Sequence, residues 1–305
     1  MDNQPNRSDV KESVRTLLSG AIDYAGLFPP AGLTMSEAVI NYAAYRTSNY
    51  RWMLGRFVLP VVQLDEFIGH ADDFISRDPA SDWRLSVISS EDMEDTIRKI
   101  SDFNVKYSPA VSIDSLEIKA NTTSKIENTV RLAPYGIDVF FELGMNDNFT
   151  ELVSLVSEKE QRAKIRTGGV TPDAIPRTKS ILQFVQACMA ANVPFKATAG
   201  LHHPIRCFRP LTYADNSVKG TMHGFLNLFM MTGFAREGYR PSLLEDVMED
   251  EFDEVFKFES QSVKWRDEYI LNIHQLETLR QKGIQSFGSC SFDEPIADLQ
   301  KLGIL

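Results

Sequence analysis

The stretch "RAKIRTGGVTPDAIPRTKSILQFVQACMAANVPFKATAG", residues 162–200, contains a short strand-like run, a longer helical segment and a second short run. Both short runs alternate apolar side chains with others, which is the two-residue period of a β-strand. The middle segment places its apolar residues on one helical stripe: Ile181, Leu182, Phe184, Val185 and Cys188. The stretch therefore predicts a strand–helix–strand unit with parallel strands.

The same alternation extends along the chain from about residue 57. The other strand candidates are residues 56–64, 83–90, 115–120, 137–144, 255–265 and 284–292. With the two strands above, they make about eight, the number that closes a barrel. Because no repeat, low-complexity tract or flexible linker divides the chain, we predict one domain over residues 1–305. Its fold class is α/β, a (β/α)8 TIM-like barrel.

Two regions depart from this alternation. Residues 1–50 form a predicted N-terminal extension, with helices around the irregular segment "DYAGLFPPAGL", whose two prolines forbid regular structure. We expect this segment to close one mouth of the barrel, to plug its N-terminal end or to contact a second copy in a homo-oligomer. Residues 204–254 form a long insertion after the sixth predicted strand, and insertions at strand ends often serve as lids.

Composition and charge exclude several classes of partner. The formal net charge is -10 and the 32 Lys and Arg residues form no basic run, so neither nucleic acid nor an anionic membrane is an expected partner. Residues 1–20 lack the pattern of a signal peptide, and the longest apolar stretch, 225–234, is shorter than the ~20 residues of a membrane span. Three widely spaced cysteines fit neither a disulfide framework nor a CxxC zinc site. We therefore expect a cytoplasmic protein.

Charged residues occupy the predicted inward-facing positions of four successive strands. The inward set comprises Glu117, Lys119, Glu142, Lys164, Arg166, Lys196 and Thr198. Burying unpaired charges is costly, so a chain that brings these side chains together must pair them or use them. Four cations against two carboxylates favour a small anionic metabolite, phosphorylated or carboxylated, as the ligand. A salt-bridge network that only stabilises the barrel is the alternative.

The lysines also permit covalent chemistry. An amine that is desolvated among other cations has a lowered pKa, and its neutral form can attack a carbonyl group to form a Schiff base. Lys164 and Lys196 are the candidate nucleophiles, and Glu142 is the candidate proton-transfer group.

Glycine-rich strand ends add candidate ligand-binding groups. Thr167, Gly168 and Gly169 follow one predicted strand, and Gly288 and Ser289 lie in the run that ends the barrel. Their backbone N–H groups can bind an oxyanion, and barrels frequently hold phosphate at such positions. Ordinary turn chemistry explains the same residues.

His202 and His203 follow the sixth predicted strand. Consecutive side chains in an extended segment point to opposite sides, so one of the two is expected to reach a central site, as a general acid or a hydrogen-bond donor. No HxH or HExxH spacing is present, and no cofactor is predicted from the sequence. A divalent metal held by Glu142 and a histidine is left as an alternative.

These observations give one main hypothesis and two alternatives. The first is a barrel enzyme of lyase, aldolase or isomerase type that acts on a small anionic carbonyl compound. The second is a metal-assisted hydrolase or lyase that uses Glu142 and the histidines. The third is a non-catalytic binding or assembly protein whose internal charges form a structural network, because a fold does not determine a function.

Overall fold

The computed structural model describes residues 10–76, 82–145 and 148–305. The strands are β1 (Ile22–Tyr24), β2 (Leu54–Pro60), β3 (Trp83–Ile88), β4 (Val111–Ala120), β5 (Asp138–Leu143), β6 (Arg162–Arg166), β7 (Phe195–Thr198), β8 (Cys207–Pro210), β9 (Lys219–Met222), β10 (Phe256–Phe258), β11 (Ser262–Trp265), β12 (Tyr269–Asn272) and β13 (Ile284–Ser289). The α-helices are α1 (Glu12–Leu18), α2 (Met35–Thr47), α3 (Leu64–Ser76), α4 (Met93–Tyr107), α5 (Thr123–Leu132), α6 (Phe149–Glu158), α7 (Thr178–Ala190), α8 (Phe225–Arg236), α9 (Pro241–Glu249), α10 (Ile273–Lys282) and α11 (Asp293–Lys301). Short 3-10 turns lie at Arg51–Met53, Val61–Gln63, Pro172–Ala174 and Asp253–Val255.

Strands β1 to β7 and β13 form a closed barrel in chain order, with β13 hydrogen-bonded to both β7 and β1. All eight barrel pairings are parallel. The (β/α)8 barrel predicted from the sequence is therefore confirmed. No helix in the described part of the chain is long and apolar enough to cross a membrane.

The first barrel strand overlaps the start of the segment that was expected to be irregular. Ile22, Asp23 and Tyr24 form β1, and all three are fully buried between β2 and β13. A three-residue strand is too short to show an alternating pattern, so its pairing with the other strands is what defines it. Residues 1–50 are thus not only an extension, because they supply a barrel strand and helix α2.

The assignment of a barrel strand to residues 255–265 was wrong. Those residues form β10 and β11, which pair with β12 in a separate antiparallel sheet. Because β1 takes the first place in the barrel, the insertion follows the seventh barrel strand rather than the sixth. It also extends beyond the predicted boundary of residue 254, up to the start of α10.

The insertion contributes a helix to the layer around the barrel as well as residues at the mouth of the barrel. Every residue of α8 from Phe225 to Phe234 is buried, and the Phe225 ring stacks on Phe287 of β13 with centroids 4.8 Å apart. A helix that is apolar on all sides is typical of a buried element. The expectation of a lid therefore does not apply to α8. The β8–β9 hairpin, by contrast, leaves Phe208 exposed.

Packing outside the barrel follows the predicted alternation on β7. Phe195 and Ala197 point to the helix layer and are fully buried, and the Phe195 ring packs edge-on against Phe184 of α7 with centroids 5.3 Å apart. The intervening Lys196 points inward, where it is also buried. The same two-residue period on β4 and β6 directs Glu117 and Lys164 toward the barrel axis.

Candidate active site

Glu117 of β4 lies between two lysines inside the barrel. Its Oε2 atom accepts a hydrogen bond from Lys164 Nζ at 2.7 Å, and its Oε1 atom accepts one from Lys196 Nζ at 2.7 Å. The two lysines face each other in the register of β6 with β7. The Ser86 hydroxyl of β3 donates a further hydrogen bond to Oε1 at 2.7 Å. One carboxylate thus holds both ammonium groups.

Two more carboxylates extend this arrangement. Lys196 Nζ lies 2.5 Å from Asp23 Oδ2 of β1, and Lys164 Nζ lies 2.9 Å from Glu142 Oε2 of β5. We call Asp23, Lys196, Glu117, Lys164 and Glu142 the lysine–carboxylate network. Acidic and basic groups alternate along it, so each ammonium group has a carboxylate on either side.

The alternation sets the protonation states of the network. Burial raises the pKa of the Glu117 carboxyl, but the charges of Lys164 and Lys196 outweigh burial and hold that pKa well below its usual range. Burial lowers the pKa of the Lys164 amine, but Glu117 and Glu142 outweigh burial and raise it. The expectation that neighbouring cations lower the pKa of Lys164 was wrong. The sequence shows how many charges enter the barrel but not which of them are in contact.

Asp23 is the network member that was not among the predicted site residues. Its Oδ2 atom also accepts the Ser286 hydroxyl at 2.8 Å, and its Oδ1 atom accepts the Arg56 backbone N–H at 2.9 Å. An aspartate inside the apolar run "AIDYAG" is the sequence signal that could have found it, because a buried acid needs partners. With Asp23 included, the network contains three carboxylates and two lysines, so its interior cations are not in excess.

Lys119 and Arg166 lie at the rim of the barrel rather than in the network. The Lys119 side chain is 75% exposed, and its Nζ atom is 4.0 Å from Glu142 Oε1. The Arg166 side chain is 51% exposed, and its Nε atom is 3.9 Å from the same oxygen. Both cations thus remain near the network while being open to solvent.

A cavity of about 380 Å³ opens above the network at the C-terminal ends of the strands. Its lining comprises Ala25, Phe28, Pro29, Val58, Ile88, Glu117, Lys164, Arg166, Gly168, Gly169, Val170, Thr171, Ala174, Lys196, Thr198, Ala199, His202, Gly288 and Cys290. This volume lies within the range of small-molecule sites, and active sites of (β/α)8 barrels lie at this end. Charged groups and an apolar wall therefore share one small cavity.

The ends of β6 and β7 approach each other closely beside this cavity. The Thr167 hydroxyl donates to the Ala199 carbonyl at 2.7 Å, which gives Thr167 a structural contact. A Cβ atom on Gly168 would lie 2.8 Å from the Gly200 Cα atom, so this approach requires glycine. Ala199 has a φ of 64°, a left-handed conformation that is rare for alanine and often found at functional sites.

Gly288 and Ser289, the two residues predicted to bind a ligand at the end of the last strand, lie in different positions. Gly288 lines the cavity next to Thr198, whose Oγ1 atom would be 3.3 Å from a Cβ atom at Gly288. Ser289 is buried, and its carbonyl accepts the Ala25 N–H at 2.7 Å. Ser289 thus fastens the segment after β1, which forms part of the cavity wall.

The two histidines both lie near Glu294, but they differ in their relation to the cavity. His202 lines the cavity, and its Nδ1 atom is 3.8 Å from Cys290 Sγ and 3.6 Å from Glu294 Oε2. Burial lowers the pKa of His202 to about 4, so its imidazole is neutral near pH 7. His203 instead places Nδ1 2.6 Å from Asp298 Oδ2 of α11.

Tyr213 connects the insertion to the cavity wall. Its hydroxyl is 3.6 Å from Cys290 Sγ and 3.2 Å from Glu294 Oε2. Burial raises the pKa of the Cys290 thiol, which is therefore protonated near pH 7. This contact joins two segments that are distant in sequence, which is why spacing alone did not reveal it.

The side chains that could bind a metal ion are those of His, Cys, Asp and Glu. Within residues 10–76, 82–145 and 148–305, no three His, Cys, Asp or Glu side chains are grouped so that they could hold a metal ion. Glu142 contacts Lys164, whereas His202 lies beside Cys290 and Glu294. The fold therefore does not assemble Glu142 and the histidines into one ligand set.

The fold and the site together define a (β/α)8 barrel with a buried lysine–carboxylate network below an open cavity. The chain matches no family model, and neither curated proteins nor solved structures show a significant match to it.

Proposed function

We propose that the protein is an enzyme of lyase or aldolase type that forms a Schiff base between Lys164 and a small anionic carbonyl compound. The supporting observation is that Lys164 lines the cavity and contacts both Glu117, which also lines it, and Glu142. The carboxylates favour the ammonium form of Lys164, so the proposal requires that one proton passes from Lys164 to Glu142 when a carbonyl compound binds, before the amine attacks. An isomerase that uses the same imine is included in this proposal.

Lys164 is a better candidate nucleophile than Lys196. The side chain of Lys164 is 6% exposed and its neighbour Glu142 is 14% exposed, whereas Lys196 and Asp23 are each 1% exposed. Lys196 also lies over the Phe140 ring at 5.3 Å from its centroid. The deeper lysine is thus positioned to keep Glu117 ionised, and the shallower lysine to meet a ligand.

The proton balance of imine formation uses Glu142. Lys164 gives one proton to Glu142 across their 2.9 Å contact, and the neutral amine attacks the carbonyl carbon. A carbon–nitrogen bond forms, and the carbonyl oxygen takes the proton back to give a carbinolamine. The nitrogen then loses a second proton to Glu142, which passes it to the hydroxyl group, and that oxygen leaves as water to give an iminium ion on Lys164.

The iminium ion then accepts electrons from the bond that breaks. In a lyase, the carbon–carbon bond next to the α-carbon breaks while a hydroxyl group on the far carbon loses its proton to Glu142. The electron pair moves to the imine nitrogen and gives an enamine. Protonation of the enamine carbon and hydrolysis by water release the product and restore the Lys164 amine.

Borohydride reduction of the imine tests this proposal directly. We expect a mass increase on the peptide that contains Lys164 when the protein is treated with borohydride and a panel of small oxo acids, sugar phosphates and ketones. Lys164→Arg is the matched variant, because it keeps a cation but removes the amine nucleophile. Absence of an adduct with every carbonyl compound, in protein that is folded, would overturn the proposal.

A structural role of the network is the second candidate. It is favoured by the fact that every member of the network already has a charged partner. A purely structural network predicts that Lys164→Met lowers stability and that no ligand protects the folded protein against thermal unfolding. An enzyme predicts that a trapped or bound carbonyl compound raises the melting temperature of the wild-type chain.

A further inference from the structure

The Glu142 carboxylate lies between the cationic groups of Lys164 and Arg166 on β6. Its Oε2 atom lies 2.9 Å from Lys164 Nζ, and its Oε1 atom lies 3.9 Å from Arg166 Nε. One carboxylate therefore reaches from the proposed nucleophile toward the guanidinium at the rim. A ligand that carries a carboxylate on its reacting carbonyl carbon has these two groups at a similarly short separation.

Arg166 is available to such a ligand. Its contact with Glu142 is longer than a hydrogen bond, and half of its side chain is exposed. A guanidinium binds a carboxylate best through two parallel N–H groups. The N–H groups of Gly168 and Gly169, which follow Arg166, donate to no acceptor within the described residues. Both glycines line the same cavity as Lys164.

The cavity wall on the side of β1, β2 and β3 is apolar, whereas Thr171, Thr198, His202 and Cys290 add polar groups elsewhere in the lining. The apolar side is lined by Ala25, Phe28, Pro29, Val58 and Ile88. A hydroxyl group placed against this wall would lose its hydrogen bonds to water and gain none from the protein. The cavity volume of about 380 Å³ lies in the range of sites for small molecules, so the ligand is expected to be small.

We infer that the substrate is a 2-oxo carboxylate whose carboxylate is bonded directly to the reacting carbonyl and whose remaining chain is apolar. The inference rests on the proposed function of Lys164. In the lyase direction such a substrate is a 4-hydroxy-2-oxo acid. Its C3–C4 bond breaks, the C4 hydroxyl loses its proton to Glu142, and C4 leaves as an aldehyde. The electron pair moves through C3 and C2 to the imine nitrogen, and protonation of C3 and hydrolysis release a shorter 2-oxo acid.

Four carbonyl probes separate the parts of this inference. They are 2-oxobutanoate, 3-hydroxypyruvate, butanone and dihydroxyacetone phosphate, each titrated in borohydride trapping with the mass of the Lys164 peptide as the readout. The first two differ by a methyl group against a hydroxyl group, and butanone lacks the carboxylate. We expect 2-oxobutanoate to reach half-maximal trapping at a concentration about tenfold or more below the other three.

Arg166→Gln tests the carboxylate contact. In this variant, the ratio of the concentrations that give half-maximal trapping of butanone and of 2-oxobutanoate should be about tenfold smaller. The reason is that the substitution removes a charge-assisted contact that only the acid can make. Arg177→Gln is the matched control: Arg177 is an exposed residue at the start of α7 that does not line the cavity. This control should leave the difference between the two probes unchanged.

The outcomes distinguish this inference from the proposed function. Trapping of dihydroxyacetone phosphate in preference to 2-oxobutanoate would overturn the 2-oxo carboxylate and leave the Schiff base intact. Equal trapping of 3-hydroxypyruvate and 2-oxobutanoate would overturn the inference that the remaining chain of the substrate is apolar. Failure of all four probes and of the wider carbonyl panel would overturn the proposed function itself, and the inference with it.

Discussion

The barrel contains two charged layers that differ in composition and burial. Toward the C-terminal ends of the strands, the lysine–carboxylate network has side chains that are 1–14% exposed. Toward the N-terminal ends, a second group is 13–49% exposed. We call this group, Arg56, Arg84, Asp114, Asp138 and Arg162, the arginine–aspartate cluster. Here Arg56 binds both oxygens of Asp114, at 2.6 and 3.2 Å, and Arg162 lies 2.9 Å from Asp138.

The difference between the layers lies in what their cations can do. A guanidinium is always protonated and grips a carboxylate in a fixed planar geometry, which suits a structural contact. A lysine ammonium can lose its proton to a neighbouring carboxylate and become a nucleophile. Both layers pair their charges, and the lysine layer has a cavity above it.

Exchanging lysine for arginine in one layer, and arginine for lysine in the other, should give the largest difference between the layers, measured as borohydride trapping. Lys164→Arg should reduce borohydride trapping by roughly 10⁴-fold or more, to background, because it removes the nucleophile and keeps the charge. Arg56→Lys, the converse change in the arginine–aspartate cluster, should leave trapping unchanged. Mass spectrometry of the reduced protein measures both, and equal trapping by wild type and Lys164→Arg would show that another group reacts.

Removing the central acid of each layer should affect stability unequally. Glu117→Gln leaves Lys164 and Lys196 short of a counter-charge in a buried site, so we expect a loss of about 3–5 kcal/mol in the free energy of unfolding. Asp114→Asn, in the more exposed cluster, should cost about 1 kcal/mol. Urea unfolding at pH 7 followed by circular dichroism measures both values. Equal losses would contradict the difference drawn between the layers.

His202 should make the C-terminal side of the barrel sensitive to acid. Its folded pKa of about 4 lies below the unfolded value near 6.5, so the neutral folded form is favoured above pH 6.5. This contribution to the free energy of unfolding is lost as pH falls from 6.5 to 4, and the loss reaches about 2–3 kcal/mol at pH 4. His202→Gln should remove this part of the pH dependence of urea unfolding between pH 7 and 4. An unchanged profile would show that His202 does not titrate as inferred.

The network itself should weaken only at the extremes of pH. The folded pKa of Glu117 is lowered, so its contribution is present above the unfolded value of about 4.3 and is lost as pH falls below it. The folded pKa of Lys164 is raised, so its contribution is present below about 10.4 and is lost as pH rises through the folded value. The stability difference between wild type and Glu117→Gln should therefore be at least about 1 kcal/mol smaller at pH 3 than at pH 7. A difference that is constant over this range would contradict the ion pairing.

Much of the barrel interior was predictable because β-strands alternate with a period of two. Apolar neighbours such as Phe195 and Ala197 identify Lys196 as inward-facing, and the same reasoning places Glu117 and Lys164. Rim positions such as Lys119 share this direction but not the burial, since the strand reaches the mouth of the barrel there. Direction follows from local geometry, whereas burial depends on the position along the barrel axis.

The class of fold and the inward direction of the charged side chains follow from the amino-acid sequence, because both depend on periodicities that local residues carry. The tertiary structure was needed to identify the first strand, since β1 exists only through its pairing with β2 and β13. It also decided the alternation of acids and lysines. An electrostatic interaction depends on distance in space, and Asp23 and Lys196 are brought together only when the barrel closes.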